Sequence, residues 1–400
     1  LMMDLPGQHE DRSRMPERTV HIVVLEESSV WRVLWSWVRG CEIVLLKTEP
    51  STVLMRKALL FIERMLCRSS RVSRFEDGAD EDYLAIREEW TFVYPDFFSR
   101  LEPEIEQRFN FDKIDITLGP FAAPYKHIVC KQAELDIKNA TRIRALEEFY
   151  GQRRCALYGI SPSVIRAFQS YFGRPPAYTV VERKESSVFL NCLSAGVSLV
   201  AGIFYLIAHV SAAKPQPRTY QISADITVFD WRHIQLLSAV VTSPQDLLLV
   251  FRNRHELMTA KQAWHEAAKF DLVVQSDGII HPKLILPYAR TLFCEMSRLL
   301  ECCFSLPSNI FREIVKIPPK NLSLRAFNDK YQYRISFGKD DYNFEHLLRT
   351  ELMRSRGIPA VGINHGLPVP EIINPVWRYI DFDIYFVFGR AIRSHYQRTW

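Results

Sequence analysis

The chain has 400 residues, 48% apolar and 24% charged; this is globular composition rather than disorder, and more chain than one core usually absorbs, so two or three domains are expected. Its 51 basic and 46 acidic residues leave a formal net charge of +5, too small a surplus to point to nucleic acid, though it suits an anionic substrate or a lipid surface. Eight cysteines, with no Cys-x-x-Cys and no His-rich spacing, indicate a reduced compartment with buried thiols and argue against a structural zinc.

Residues 1–19 are polar and lack the apolar core of a signal peptide, so they read as a disordered leader and give no support for export. The chain opens on Leu1 and closes on the helix-like AIRSHYQRTW, which reads as a fragment cut at both ends. Val20 to Leu25 is an apolar strand, followed by the turn Glu26-Glu27-Ser28-Ser29, a helix over Val30–Val38 ended by Gly40, and a second strand over Glu42–Lys47. Strand, short helix and strand at this spacing form a βαβ unit with a right-handed crossover. The stretch from about 51 to 180 is richer in helical patterns, such as STVLMRKALLFIERMLCR and NATRIRALEEFYGQRRCAL. Together, 20–186 form an N-terminal α/β part with helical insertions.

Ser187 to Ala213 hold no Asp, Glu, Lys or Arg across 27 positions, long enough to cross about 30 Å of hydrocarbon. Two readings stay open. One is membrane contact through 187–213, by insertion or at the surface. The other, favoured by Asn191, His209 and the serines, is a long helix buried or docked on the protein itself. Either way 187–218 interrupts the α/β alternation as an apolar segment or connector.

The alternation then resumes: strand Asp225–Phe229 (DITVF), helix His233–Val241, strand Asp246–Arg252, helix His255–Lys269, strand Asp271–Val274, and a helical stretch Pro287–Phe304. It continues as strand Tyr333–Phe337, helix Tyr342–Arg356, strand Pro359–Ile363, strand Asp383–Phe388 and a last helix start at Arg390. The fold class is therefore α/β, with 219–400 forming a Rossmann-like parallel sheet flanked by helices.

No G-x-G-x-x-G, Walker A, G-x-S-x-G or HExxH pattern is present, which removes most support for a dinucleotide oxidoreductase, a P-loop NTPase, an α/β-hydrolase or a zincin. Polar residues cluster instead after strand ends, where open parallel sheets bind ligands. Asp340 and Asp341 follow strand 333–337, Asn364-His365-Gly366 follow 359–363, and Arg390 follows 383–388. Parallel strands would aim these loops at one crevice. His365 has a neutral-range pKa suited to taking a proton from a hydroxyl, beside a glycine that lets a ligand approach; its alternative is a turn histidine bonded to a carbonyl. Asp341 or Asn343 can equally be the N-cap of the next helix, on which Glu345 and Arg349, four apart, are expected to pair on a solvated face and His346 to be a surface or half-buried residue. Glu26, Glu27 and Ser28 line the same crevice or merely answer a helix dipole. Arg252, in the basic run Arg252-Asn253-Arg254-His255, faces a phosphate or simply solvent.

Two pieces carry a resemblance. Ile358-Pro359-Ala360-Val361-Gly362-Ile363-Asn364-His365-Gly366 and Asp383-Ile384-Tyr385-Phe386-Val387-Phe388-Gly389 resemble the "I-P-x-V-x-x-x-H-G" segment and the later "D-x-Y-x-V-[WF]-G" strand of bacterial surface-polysaccharide glycosyltransferases of the GT-B architecture, the capsule and teichoic-acid type. The likeness extends over the stretch 333–390, some 60 of the 400 residues. It implies transfer of a sugar or polyol-phosphate from a nucleotide-sugar or nucleotide-polyol donor to a glycan or lipid-linked acceptor, in the cytoplasm or peripheral to the inner face of the membrane. His365 would be the catalytic base on the acceptor side, Asp340 or Asp341 would orient it or the acceptor, and Asn364, Gly366, Arg390, Glu26, Glu27, Ser28 and Arg252 are candidates for substrate binding. No metal, no cofactor beyond the donor and no nucleic acid is implied. The family's second Rossmann-like domain, which holds the donor, would lie beyond Trp400, so the C-terminal donor domain is expected to be truncated. A nucleotide-sugar epimerase of related fold and a non-catalytic membrane-associated scaffold are the rival readings.

Overall fold

The computed structural model describes residues 20–24, 38–39, 42–46, 72–74, 85–86, 89–90, 93–151, 155–182, 187–212, 218–225, 231–263, 267–302, 304–338, 343–363, 379–387, 389–390, 393–394 and 397. The chain divides into two compact units, one of residues 1–97 with 136–185 and one of residues 98–135 with 186–400.

The first unit holds five parallel strands: β1 (Val20–Val24), β2 (Glu42–Leu46), β3 (Val72–Arg74), β4 (Cys155–Ile160) and β5 (Thr179–Glu182), in the order β3-β2-β1-β4-β5. β1 and β2 are the two strands legible in the sequence, and their parallel pairing is what a βαβ connection produces. Helices α1 (Tyr94–Phe109), α2 (Phe111–Leu118) and the 29-residue α3 (Ala122–Tyr150) separate β3 from β4, and α4 (Pro162–Phe172) separates β4 from β5. α4 is well specified by its ends: Ser161 caps it with Pro162 at the first position, and Gly173 closes it at φ +68°, a left-handed turn that glycine takes without strain. Within this unit Glu147 is buried and held by Arg174 at 2.6 Å and Arg144 at 3.3 Å.

The second unit is built on six parallel strands, ordered β11-β10-β9-β6-β7-β8. They are β6 (Thr219–Asp225), β7 (Leu247–Phe251), β8 (Asp271–Val274), β9 (Gln332–Gly338), β10 (Ala360–Ile363) and β11 (Ile384–Phe386). Between them run α5 (Val188–Ala208, preceding β6), α6 (Trp231–Val240), α7 (Arg254–Ala263), α8 (Ile285–Leu300), α9 (Ser308–Ile314), α10 (Ile317–Lys330) and α11 (Phe344–Ser355). Successive residues of β7, all buried, serve opposite faces. Leu248 and Val250 join one core with Tyr220, Tyr333, Phe311 and Met353, while Leu247, Leu249 and Phe251 join another with Ile234, Leu237, Leu257 and Ala260. Both faces are therefore covered by helices, which is why β7 reads as an unbroken apolar run.

Strands β9, β10 and β11 are parallel neighbours, as expected for consecutive βα units. In the first unit β3, β4 and β5 run through the stretch read as rich in helix, and β4 begins at the Cys155-Ala156-Leu157 that ends one of its helical patterns. In the second unit one strand differs from the sequence reading. DITVF was expected to be the strand, yet β6 is the preceding TYQISAD, and 226–230 lie outside the described residues. The β-branched run drew the assignment forward; what decides it is the pairing, since β6 lies in register between β7 and β9 and buries Ile222, Ser223, Ala224 and Asp225. Asp225 thus moves from the start of a strand to its C-terminal end. The thiols also divide: Cys130 is buried, but Cys192 and Cys294 are exposed.

Candidate functional site

Counted within its own unit, each sheet has the doubly wound order 3-2-1-4-5, which the second extends to a sixth strand. The winding direction reverses between β1 and β4, and again between β6 and β9. At such a reversal the connections leave the strand ends in opposite directions and open a crevice, where ligands of this fold class bind.

In the first unit β4 delivers Ser161 and Ser163 to that edge. Ser161 Oγ accepts from Val164 N at 3.4 Å and lies 2.8 Å from Ser163 Oγ. Glu26, Glu27 and Ser28, which follow β1 in the chain, lie outside the described residues.

The second unit presents more. β6 ends on Asp225 and β9 on Gly338, and the two are register partners. From α11 Arg349 reaches back to this point, and its Nη1 donates to Asp225 Oδ2 in an ion pair. Asp225 is 9% exposed and Arg349 7%. Each keeps one buried polar atom, Asp225 Oδ1 and Arg349 Nη2, with no hydrogen-bond partner among the described residues. Gly338 makes the arrangement possible: a β-carbon there would stand 2.5 Å from Arg349 Nη2 and 3.2 Å from the Phe382 ring.

α11 is clamped so that Arg349 is aimed. Thr350 Oγ1 donates to Asp381 O at 2.7 Å, and Arg354 forks onto Asp381 (2.6 and 2.7 Å) and Asp383 (2.8 Å). Asp383, its carboxyl held below the usual range by the Ala360 N–H and Arg354 against the opposing effect of burial, ties this clamp to β10 through Ala360 N at 2.8 Å. His346, 1% exposed, places Nδ1 against Asn343 O and Nε2 3.1 Å from Tyr379 O, and stacks on Phe382 at 5.5 Å. Glu345 pairs not with Arg349 but with Lys320, at 2.9 Å. Two expectations for this helix are therefore corrected. Arg349 is not on a solvated face, because α11 is covered along most of its girth, and His346 is a core residue for the same reason.

Of the residues singled out in the sequence, His365, Asn364, Gly366, Asp340 and Asp341 lie outside the described residues. They follow in the chain directly from β10 and β9, whose C-terminal ends are adjacent in the sheet. Arg252 is half-buried immediately after β7, one strand from Asp225. Arg390 is exposed after β11, three strands from β6, or about 14 Å at ordinary strand spacing. Asp225 and Arg349 were missed by sequence reasoning; the available signal was a glycine, Gly338, ending a strand that the next helix must pack against. Among the described residues no group of three or more His, Cys, Asp or Glu side chains is placed to hold a metal.

Compared with known proteins, the chain matches no family model, no curated protein and no solved structure.

Proposed function

We propose that the protein is a glycosyltransferase that moves a sugar, or a polyol-phosphate, from a nucleotide-activated donor to a cell-surface glycan acceptor, and that its second unit holds the donor. The observation that carries this reading is the half-satisfied ion pair at the β6/β9 reversal. A buried carboxylate and a buried guanidinium that each keep one polar atom without a partner among the described residues suit the ribose and an adjacent phosphate of a nucleoside diphosphate: Asp225 Oδ1 would accept from a ribose hydroxyl and Arg349 Nη2 would donate to a phosphate oxygen. Two doubly wound units in one chain support the GT-B reading, and on this proposal the donor half is already present before Trp400.

β10, after which His365 follows in the chain, is two strands from β6, about 10 Å at ordinary spacing. On this proposal the base works at the sugar end of a donor whose nucleotide sits at Asp225, and so on the donor-holding unit, whereas the resemblance put it on the acceptor side. For a sugar, the reaction breaks the bond from its anomeric carbon to the diphosphate and forms one to the acceptor oxygen, releasing nucleoside diphosphate. For a polyol-phosphate, it breaks the phosphoanhydride bond and forms one from phosphorus to the acceptor oxygen, releasing nucleoside monophosphate. In both, His365 takes the acceptor's proton and Asp340 or Asp341 orients the imidazole. Arg349 stabilises the departing nucleotide, as preorganised cations do for developing negative charge.

The test is release of nucleoside diphosphate from a panel of nucleotide sugars, with and without glycan acceptors. His365→Ala and His365→Asn are expected to lower turnover by two to four orders of magnitude, roughly the contribution of a general base, with folding intact. Turnover retained in both variants would remove His365 from the mechanism. A product that remains a nucleotide sugar with altered stereochemistry would identify an epimerase instead.

A further inference from the structure

The helix α5 is 21 residues long and by length and composition could cross a membrane, yet one of its faces is built into the protein. Asn191 is fully buried and its Nδ2 donates to Leu306 O at 3.2 Å; Ser187 N donates to Ser308 Oγ at 3.0 Å; Gly202 admits Leu292 so closely that a β-carbon would stand 2.8 Å from it. Ala195 and Leu206 are buried on the same side. A helix fixed by Asn191 near one end and by Tyr205, whose OH donates to Ser276 O at 3.2 Å, near the other cannot leave to span a bilayer without stranding these groups.

The opposite face is apolar and open. Phe189, Leu193, Val197, Val200, Phe204 and Ile207 follow at intervals of four and three, one continuous row, and all are exposed, Phe189 by 75% and Phe204 by 73%. At 1.5 Å per residue α5 extends about 31 Å. α8, against which α5 packs, adds a stripe of its own, Leu286, Arg290, Phe293 and Leu300, every member exposed. Lys283, in the turn just before this element, and Arg298 on it are also exposed; Glu295 is buried, and the nearby exposed acids are Glu301, just after the helix, and Asp277, beside Tyr205 of α5.

We infer that this face is an in-plane docking surface for an anionic phospholipid bilayer, with the apolar row seated at the boundary between headgroups and acyl chains. An open apolar row of this length is more than a soluble monomer usually leaves to water. The basic side chains choose the occupant. A second copy of this chain would meet the patch with itself across a two-fold axis, bringing Lys283, Arg290 and Arg298 toward their own kind, whereas an acidic headgroup layer complements them.

Co-sedimentation of the full chain with vesicles of phosphatidylcholine alone, and of phosphatidylcholine mixed with phosphatidylglycerol, decides it. Binding is expected to the anionic vesicles, weakened by salt and released by alkaline carbonate. Phe189→Asp with Phe204→Asp is expected to lower it by at least about tenfold while the circular dichroism is unchanged, because both side chains are exposed. Absence of binding to either vesicle, or resistance to carbonate, would overturn the proposal. So would a concentration-dependent dimer, abolished by the same substitutions, that leaves vesicles unbound.

Discussion

Arg349→Met is expected to destabilise the protein by about 3–5 kcal/mol, the usual consequence of leaving one member of a buried ion pair without its partner. The partner is Asp225, 9% exposed and therefore out of reach of solvent that would otherwise rehydrate its carboxylate. The double variant Arg349→Met with Asp225→Leu should recover most of the loss, since apolar side chains can replace a buried pair at little net change in stability. Urea denaturation of the three proteins reads this directly. A single-variant loss below about 1 kcal/mol would place the pair with exposed salt bridges. On the function proposed above, the double variant should regain stability without regaining donor binding, which separates what the pair does for folding from what it does for a ligand.

Acid is expected to destabilise the protein through two histidines that are buried side by side. His346 and His127 are 1% and 2% exposed, with ring centroids 5.7 Å apart. Burial, above all, pushes His346 down to about 4; the carbonyls of Asn343 and Tyr379 oppose this and Arg349 reinforces it. Burial also holds His127 well below its usual range, helped by His346 and Lys131. Between about 6.5 and 4 the unfolded chain takes up a proton that His346 refuses, so its contribution to stability is intact above pH 6.5 and is lost as pH falls through that window, with a slope of about 1.4 kcal/mol per pH unit; His127 acts in the same direction. Glu295 works in the opposite sense, because burial raises it to about 7 and the folded chain there holds a proton that the unfolded chain has lost. A difference measurement isolates the histidine. From pH 7 to pH 5, His346→Asn should lose about 2 kcal/mol less than wild type does; parallel stability curves for the two proteins would show that His346 titrates normally.

The second unit's parallel sheet was legible in the sequence for a simple reason, whereas of the first sheet only β1 and β2 were. A strand covered on both faces must be apolar throughout, as LLLVF in β7 is, and such runs separated by helical patterns leave few alternatives. Strand order was not legible, since it depends on which edges pair rather than on any local pattern. The sheet edge that carries the Asp225–Arg349 pair was half legible. The loops after β9 and β10 were singled out because they follow strands that are in fact adjacent. Asp225 escaped because DITVF has a stronger strand pattern than TYQISAD, although β7 and β9 pair with the latter. Arg349 escaped because Glu345 offered a local partner four residues away, while the actual partner is 124 residues distant. Local spacing favours the nearer charge; burial, which sequence does not display, favours the other.

If the β6/β9 reversal of the second unit holds a nucleotide-activated donor, as proposed, calorimetric titration with nucleoside diphosphates will detect it there. Saturable binding of one of UDP, GDP, CDP or ADP is expected, reduced at least about tenfold in Asp225→Asn that remains folded, because a charge-assisted hydrogen bond to the ribose is replaced by a weaker neutral one. Failure of all four nucleotides to bind, or binding that Asp225→Asn leaves unchanged, would show that the β6/β9 reversal is not a donor site.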